Sequence, residues 1–288
     1  MTTIEKMIDS KVNTLFGADS DYIRPLISPA IGIKMIDDYG LNMAEYKTSK
    51  KVLSRFGGLP DIGDDFLWPD HNQSPMAFLC QINLEDIKEF RSPLPSDGVL
   101  LFFATLNDAV DVESLQSSVK VLFYENTHKY VQFNLKELEL LDEFRIKFYS
   151  HYTLPSTEEY NVIELDKRLD IFDNFSELQQ YISELTFGSA NFTNYHMLGD
   201  PNANQGAVRP YWGAQFQHPE DYRYRGMMTY LDEVTEIGNE FILLLQLDLL
   251  NSEIYLPAFG SSCLYFGIHK NDLASKNFGN VKLVIQNI

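Results

Sequence analysis

Two apolar stretches 165 residues apart carry the same polar interruptions, and no other feature of the chain constrains its fold as much. Residues 78–84 are FLCQINL and residues 243–249 are LLLQLDL, so Gln81 lies opposite Gln246 (246 − 81 = 165). Next, GVLLFFATLND (98–108) sits against SCLYFGIHKND (262–272) at an offset of 164 (264 − 100). That alignment pairs Leu100 with Leu264, Phe102 with Phe266, Asn107 with Asn271 and Asp108 with Asp272. Val119, Lys120 and Val121 then face Val281, Lys282 and Leu283 at an offset of 162 (281 − 119). Such a period is far too long for a solenoid. The shared order and near-constant spacing point to two related halves, each supplying strand, short helix, strand and strand. The competing reading is that unrelated antiparallel strands converge on similar apolar patterns.

The rest of the chain fits an α+β class with mainly antiparallel sheet. Ile4, Met7, Ile8, Val12, Leu15 and Phe16 recur at three- and four-residue steps, an amphipathic helix that Gly17 stops. Alternation predicts a strand over 30–37, and further strands over 76–84, 99–106, 119–125 and 144–154. A short helix is expected over 84–90, and another over 176–187 with Asn174 or Ser176 as cap. The last strands are expected over 241–249, 264–268 and 281–286. Residues 54–75 hold Gly57, Gly58, Gly63, Pro60, Pro69 and Pro75, a long structured loop. Residues 196–230 form a second loop region rich in glycine, proline and aromatics. The expected organisation is a helical extension (1–29), a first half (30–150) and a second half (151–288), packed as one pseudo-symmetric body.

Several of these blocks also carry a family resemblance. SRFGGLP (54–60), the Trp68-Pro69 pair, and MAFLCQINL followed by LPSDGVLLFF resemble the YwqG-like family of bacterial proteins, whose biochemical role is not established. HMLGDP (196–201) with Gln205, then FILLLQLDL with SSCLYFGIHKNDL, extend the likeness from about residue 30 to the C-terminus. The resemblance implies an α+β fold with an internal repeat and brings no catalytic residues. Ser261 and Ser262 stand where that family usually has Asp and Gly.

Composition narrows the function classes. The chain has 288 residues, with 23 Lys and Arg against 41 Asp and Glu, a net charge of −18. Affinity for nucleic acid needs clustered Lys and Arg, so a nucleic-acid partner is not expected. The apolar runs at 99–106 and 241–250 fall short of the ~20 residues that span a bilayer, so no membrane partner is expected either. MTTIEKMIDS lacks a basic start followed by an apolar run, and only two cysteines occur, Cys80 and Cys263. A cytoplasmic protein without a disulfide framework is the expectation.

No motif commits the chain to catalysis. The six histidines show no HExxH or HxH spacing, there is no CxxC and no GxSxG, and no metal or other cofactor is implied. Five residues are candidates for a small-ligand cleft between the halves: Arg55, Trp68, Gln81, His196 and Gln246. Strand alternation puts Gln81 and Asn83 on one face with Leu79, and Gln246 and Asp248 on one face with Leu244. The glutamines serve either a polar groove or the backbone of a neighbouring loop, and buried amides favour the loop. Arg55 with Gly57 and Gly58 either holds an anion or sits in a tight turn, and the missing P-loop spacing favours the turn. His196 is placed to pair with a carboxylate such as Asp200, or is structural. A second candidate is a protein-interaction surface within 209–226: Arg209, Tyr211, Trp212, Tyr222, Arg223, Tyr224 and Arg225, residue types enriched in interface hot spots. Its competing reading is a loop packed over the core. The sequence therefore points away from an enzyme and toward a binding protein, with a basic protein as partner and an immunity-type inhibitor as the sharpest form. A ligand-binding or enzymatic cleft is the alternative.

Overall fold

The computed structural model describes residues 2–36, 52–61, 66–105, 115–125, 140–187, 195–219, 230–249 and 254–287. The strands among them, in chain order, are β1 (Ser28–Ile36), β2 (Arg55–Phe56), β3 (Asp70–His71), β4 (Ser74–Pro75), β5 (Ala77–Asn83), β6 (Val99–Ala104), β7 (Val119–Tyr124), β8 (Phe144–Thr153), β9 (His196–Met197), β10 (Phe241–Asp248), β11 (Ser262–His269) and β12 (Lys282–Asn287). The helices are α1 (Thr3–Phe16), α2 (Ser20–Ile23), α3 (Tyr160–Leu169), α4 (Phe172–Phe187), α5 (Arg209–Gln217), α6 (Leu231–Gly238) and α7 (Lys270–Ala274).

Ten strands make one sheet in the order β12-β11-β10-β9-β1-β8-β2-β5-β6-β7, and β3 pairs with β4 alone. Every pairing is antiparallel. The class is therefore mixed helix and strand with a mostly antiparallel sheet, as the sequence implies. The two long strands β1 and β8 lie side by side at the centre. Outward from β1 come a two-residue strand and three longer ones, and the same series runs outward from β8.

Each arm carries a β-bulge at a matching place, between Phe78 and Cys80 in β5 and between Leu243 and Leu245 in β10. A bulge inserts one residue and resets the alternation of faces. Leu79 and Cys80 both enter the main core, as do Leu244 and Leu245. Phe78 and Leu243 turn to the opposite side, into separate apolar clusters. Strict alternation, which groups Phe78 with Cys80 and Leu243 with Leu245, therefore misplaces Phe78 and Leu79 in one arm and Leu243 and Leu244 in the other. It places Gln81 and Gln246 correctly, because both follow the bulge and point away from the main core.

The sheet folds back so that its two arms share that core. Phe102 of β6 meets Phe266 of β11 edge-on at 5.4 Å, and Phe123 meets Phe278 at 5.0 Å. Their own outer faces are covered separately. Phe66, Trp68 and Met76 cover one arm, and Trp212, Val208 and Ala203 cover the other.

A distinct helical cluster packs at the end of β1 and β8. Ile8, Val12 and Phe16 of α1 join Phe175, Leu178 and Ile182 of α4 there. A capping box of Thr2 and Glu5 starts α1, and Gly17 takes a positive φ of 51° just beyond its end. The start of α4 differs from expectation. The Asp166 carboxylate accepts the backbone N–H groups of Ile171 and Phe172 at 2.9 and 2.8 Å, so the helix begins at Phe172, ahead of both expected caps.

Helices α5 and α6 lie close together, with α5 inside the region expected to be loop. A Cβ on Gly213 would overlap the Val234 carbonyl, and one on Gly238 would overlap the Arg209 carbonyl. Pro210 occupies the first turn of α5, where its missing N–H costs nothing.

The contact between arms is testable. Phe102→Ala and Phe266→Ala should each cost about 3–5 kcal/mol in denaturant unfolding. The double variant should cost less than the sum by about 0.5–1.5 kcal/mol, the coupling of an aromatic pair. Strict additivity would mean that the arms do not touch in solution.

Candidate functional site

The five cleft candidates fall into three places. Arg55 and Gln81 are register partners on β2 and β5, and His196 and Gln246 are register partners on β9 and β10. Trp68 lies elsewhere, half-buried, donating its indole N–H to the Met76 carbonyl at 2.8 Å and meeting Phe103 edge-on at 5.4 Å. Strands β1 and β8 stand between the two pairs.

In the first pair, Gly57 and Gly58 carry positive φ angles of 61° and 68° and turn the chain back toward β5. A side chain at Gly57 would overlap the Asp142 carbonyl, so glycine is required there. The returning loop is held by Gln81. Its Oε1 accepts the Asp61 N–H at 2.9 Å, and its Nε2 donates to the Leu53 carbonyl at 2.7 Å and the Asp61 carboxylate at 2.8 Å. Arg55 pairs with the same carboxylate at 2.8 Å and donates to the Leu59 carbonyl. Glu143 lies 3.9 Å from the Arg55 guanidinium. Arg55 and Gln81 are buried, and the arginine's charge is met within the chain.

The second pair repeats this bracket. Leu198 and Gly199 have φ angles of 63° and 69°. The Gln246 Oε1 accepts the Asn202 N–H at 2.9 Å, as Gln81 does with Asp61. His196 donates from Nε2 to the Asp200 carbonyl at 3.2 Å, where Arg55 uses Leu59. The expected pairing of His196 with the Asp200 carboxylate does not form, because that carboxylate takes Arg209 at 2.8 Å. Asn202 stands in place of Asp61, and the Gln246 Nε2 has no hydrogen-bond partner among the described residues.

Around His196 the polar groups are deeply placed. Burial draws its pKa down to about 4, against the opposing pull of Asp200. The His151 ring lies 5.8 Å away, and burial followed by the charge of His196 draws its pKa down to about 3. Both imidazoles are thus neutral at pH 7. Glu159 is buried and its pKa is raised by desolvation, with Arg209 opposing, while its carboxylate accepts the Val208 N–H at 3.2 Å. Both cysteines are buried; desolvation holds the Cys80 thiol well above its ordinary pKa and pushes Cys263 up to about 12, so neither thiolate forms at neutral pH. Among the described residues no group of three or more His, Cys, Asp and Glu could hold a metal ion.

The described part of the second candidate lies mostly inside. Trp212 is fully buried, stacked on Phe241 at 5.9 Å and seated where Gly267 has no side chain. Arg209 donates to the Phe241 carbonyl at 3.0 Å as well as to Asp200. Tyr211 and Arg209 keep partial exposure, and Tyr222, Arg223, Tyr224 and Arg225 lie outside the described residues. The sequence pattern alone does not single out Asp61, Glu143 or Glu159. A signal for the first is there once the two quoted motifs are aligned, since Asp61 and Asn202 both follow the Gly-x-Pro turn.

Residues 54–286 match the family described as "Domain of unknown function (DUF1963)". No curated protein matches the chain.

Two predictions follow from the buried polar groups. Replacing Gln81 with Leu should destabilise by about 1–3 kcal/mol, because Asp61 and the Leu53 carbonyl lose their partner. Gln246→Leu frees an orphaned amide, so chemical denaturation should show it costing clearly less. His151 and His196 have native pKa values below the unfolded 6.5, so the unfolded state binds more protons between 6.5 and those values. Stability is then fully present above about pH 6.5 and falls by about 1.4 kcal/mol per pH unit per histidine down to pH 4. Denaturant titrations of His151→Gln should show a shallower acid slope than the parent.

Proposed function

Since the chain belongs to the DUF1963 family, a family without an assigned function, we propose from its own residues that it is a non-catalytic binding protein for a basic protein partner. The supporting observation is the helical cluster. Residues 2–26 and 155–187 hold twelve acidic and five basic side chains, a net of −7 within the total of −18, and all of the acids but the buried Glu159 reach solvent. The same cluster exposes Met7, Tyr22, Tyr160, Ile163 and Phe172, half of the ten large apolar side chains exposed among the described residues. Acidic charge raises the association rate with a basic partner, and exposed aromatics supply contact once it arrives. Such a surface suits an inhibitor that neutralises a basic nuclease, the immunity-type role. The interaction surface then lies on the helices rather than at 209–226, where Trp212 and Arg209 are already used internally.

The reading includes an origin by internal duplication, in line with the YwqG-like resemblance. The matched brackets support it: Arg55 with Gln81 and Asp61, His196 with Gln246 and Asn202, each beside a bulge at the same step.

The test is surface plasmon resonance against small basic nucleases of pI above about 9, with nuclease activity as a second readout. Binding should weaken steeply with salt. The combined variant Asp170→Asn, Asp173→Asn and Phe172→Ser changes exposed positions and should slow association about 3- to 10-fold. Failure to bind any basic protein at low salt, or binding indifferent to salt, would overturn the proposal.

A further inference from the structure

A cavity of about 400 Å³ opens between the helical cluster, the start of β1, the end of β8 and residues 89–91. It contains none of the residues of the two brackets. Its apolar lining comes from Ile8, Ile27, Pro29 and Phe90. Its charged lining is divided between committed and open groups. Arg24 is consumed: its nitrogens go to Asp9 at 2.7 Å, Asp21 at 2.5 Å and Asn13 at 2.6 Å. Glu5 is likewise engaged, with the Thr2 N–H at 2.5 Å and the Tyr152 hydroxyl at 3.0 Å. By contrast Glu89 and Arg91, which flank Phe90, make no hydrogen bond or ion pair among the described residues. One open carboxylate and one open guanidinium, both solvent-exposed, therefore line the same mixed polar and apolar cavity.

We propose that this cavity binds a small zwitterion of dipeptide size. Arg91 takes the ligand's carboxylate, for which a guanidinium is shaped to give two parallel hydrogen bonds. Glu89 takes its ammonium group, and the apolar side chain lies against Ile8, Ile27, Pro29 and Phe90. The size follows from the volume, which corresponds to about thirteen waters of liquid, and pockets of this order hold small ligands. Both groups stay open to solvent, so a guest that meets them with its own charges gains contacts that a purely apolar guest forgoes.

Calorimetric titration with alanyl-leucine, N-acetyl-alanyl-leucine and alanyl-leucinamide tests each contact separately. Alanyl-leucine should bind, and removal of either ligand charge should weaken binding at least about tenfold. Arg91→Ala should abolish the preference for the free carboxylate, and Glu89→Gln the preference for the free amine. Both residues are exposed, so a thermal melt should confirm unchanged folding of each variant. Absence of binding up to about 10 mM, equal binding of all three ligands, or preferences that survive both substitutions would overturn the proposal.

Discussion

Nine register pairs between β1 and β8 join stretches of chain more than 100 residues apart, and the rest of the sheet is hung on that ladder. Each of the two strands has the other on one side and the inner strand of an arm on the other: β9 beside β1, β2 beside β8. The early strand β1 thus adjoins the late arm, and the late strand β8 adjoins the early arm. Neither arm can complete its inner edge from its own part of the chain. Open edges are costly, and here they are removed by exchange between distant segments. The Phe102–Phe266 contact then becomes possible, because arms fixed at one centre can fold toward each other.

The chemistry-bearing side chains serve this architecture. Gly57 and Leu198 turn the chain with positive φ, and both turns need something to hold the returning loop. A glutamine buried on the adjacent strand does so in both arms, its Oε1 accepting a backbone N–H that would otherwise be orphaned. The first bracket is the stronger, because Asp61 collects both Arg55 and Gln81. In the second, Asn202 lends no such carboxylate, and Asp200 is held instead by Arg209 from α5. One arm is secured by local bonds, the other by a helix packed against it.

Strand positions were legible because their apolar content dominates any window over 76–84 or 241–249. The bulges were not, since an inserted residue leaves no compositional trace, and the face assignments of Phe78, Leu79, Leu243 and Leu244 fail there. Helix α5 was hidden by its content: Arg209–Gln217 opens with a proline and shows no clear apolar stripe, and its stability comes from close contact with α6 across Gly213 and Gly238. Trp212 was unreadable for the same reason. Whether an indole between arginines faces solvent or the core depends on Gly267, fifty-five residues downstream, which leaves it a socket (267 − 212 = 55). The glutamines were legible as loop supports, because an amide inside an apolar strand needs a partner.

On the proposed binding role, the place for recognition follows from which groups are already spent. Arg55, Arg209, Gln81 and His196 each have partners inside the fold, and loosening any of them would leave a buried polar group unmet. A ligand competing for them would work against folding. The helical cluster carries no such burden: its own core of Ile8, Val12, Phe175 and Leu178 is separate from the sheet's main core. Its exposed acids and aromatics, Asp170, Phe172 and Asp173 among them, can change partners at little cost to stability, as surface charges contribute little to it. Surfaces that are cheap to alter and held on a rigid support are where specificity can diverge, so on the proposed role the helical cluster is better suited to recognition than the glutamine brackets.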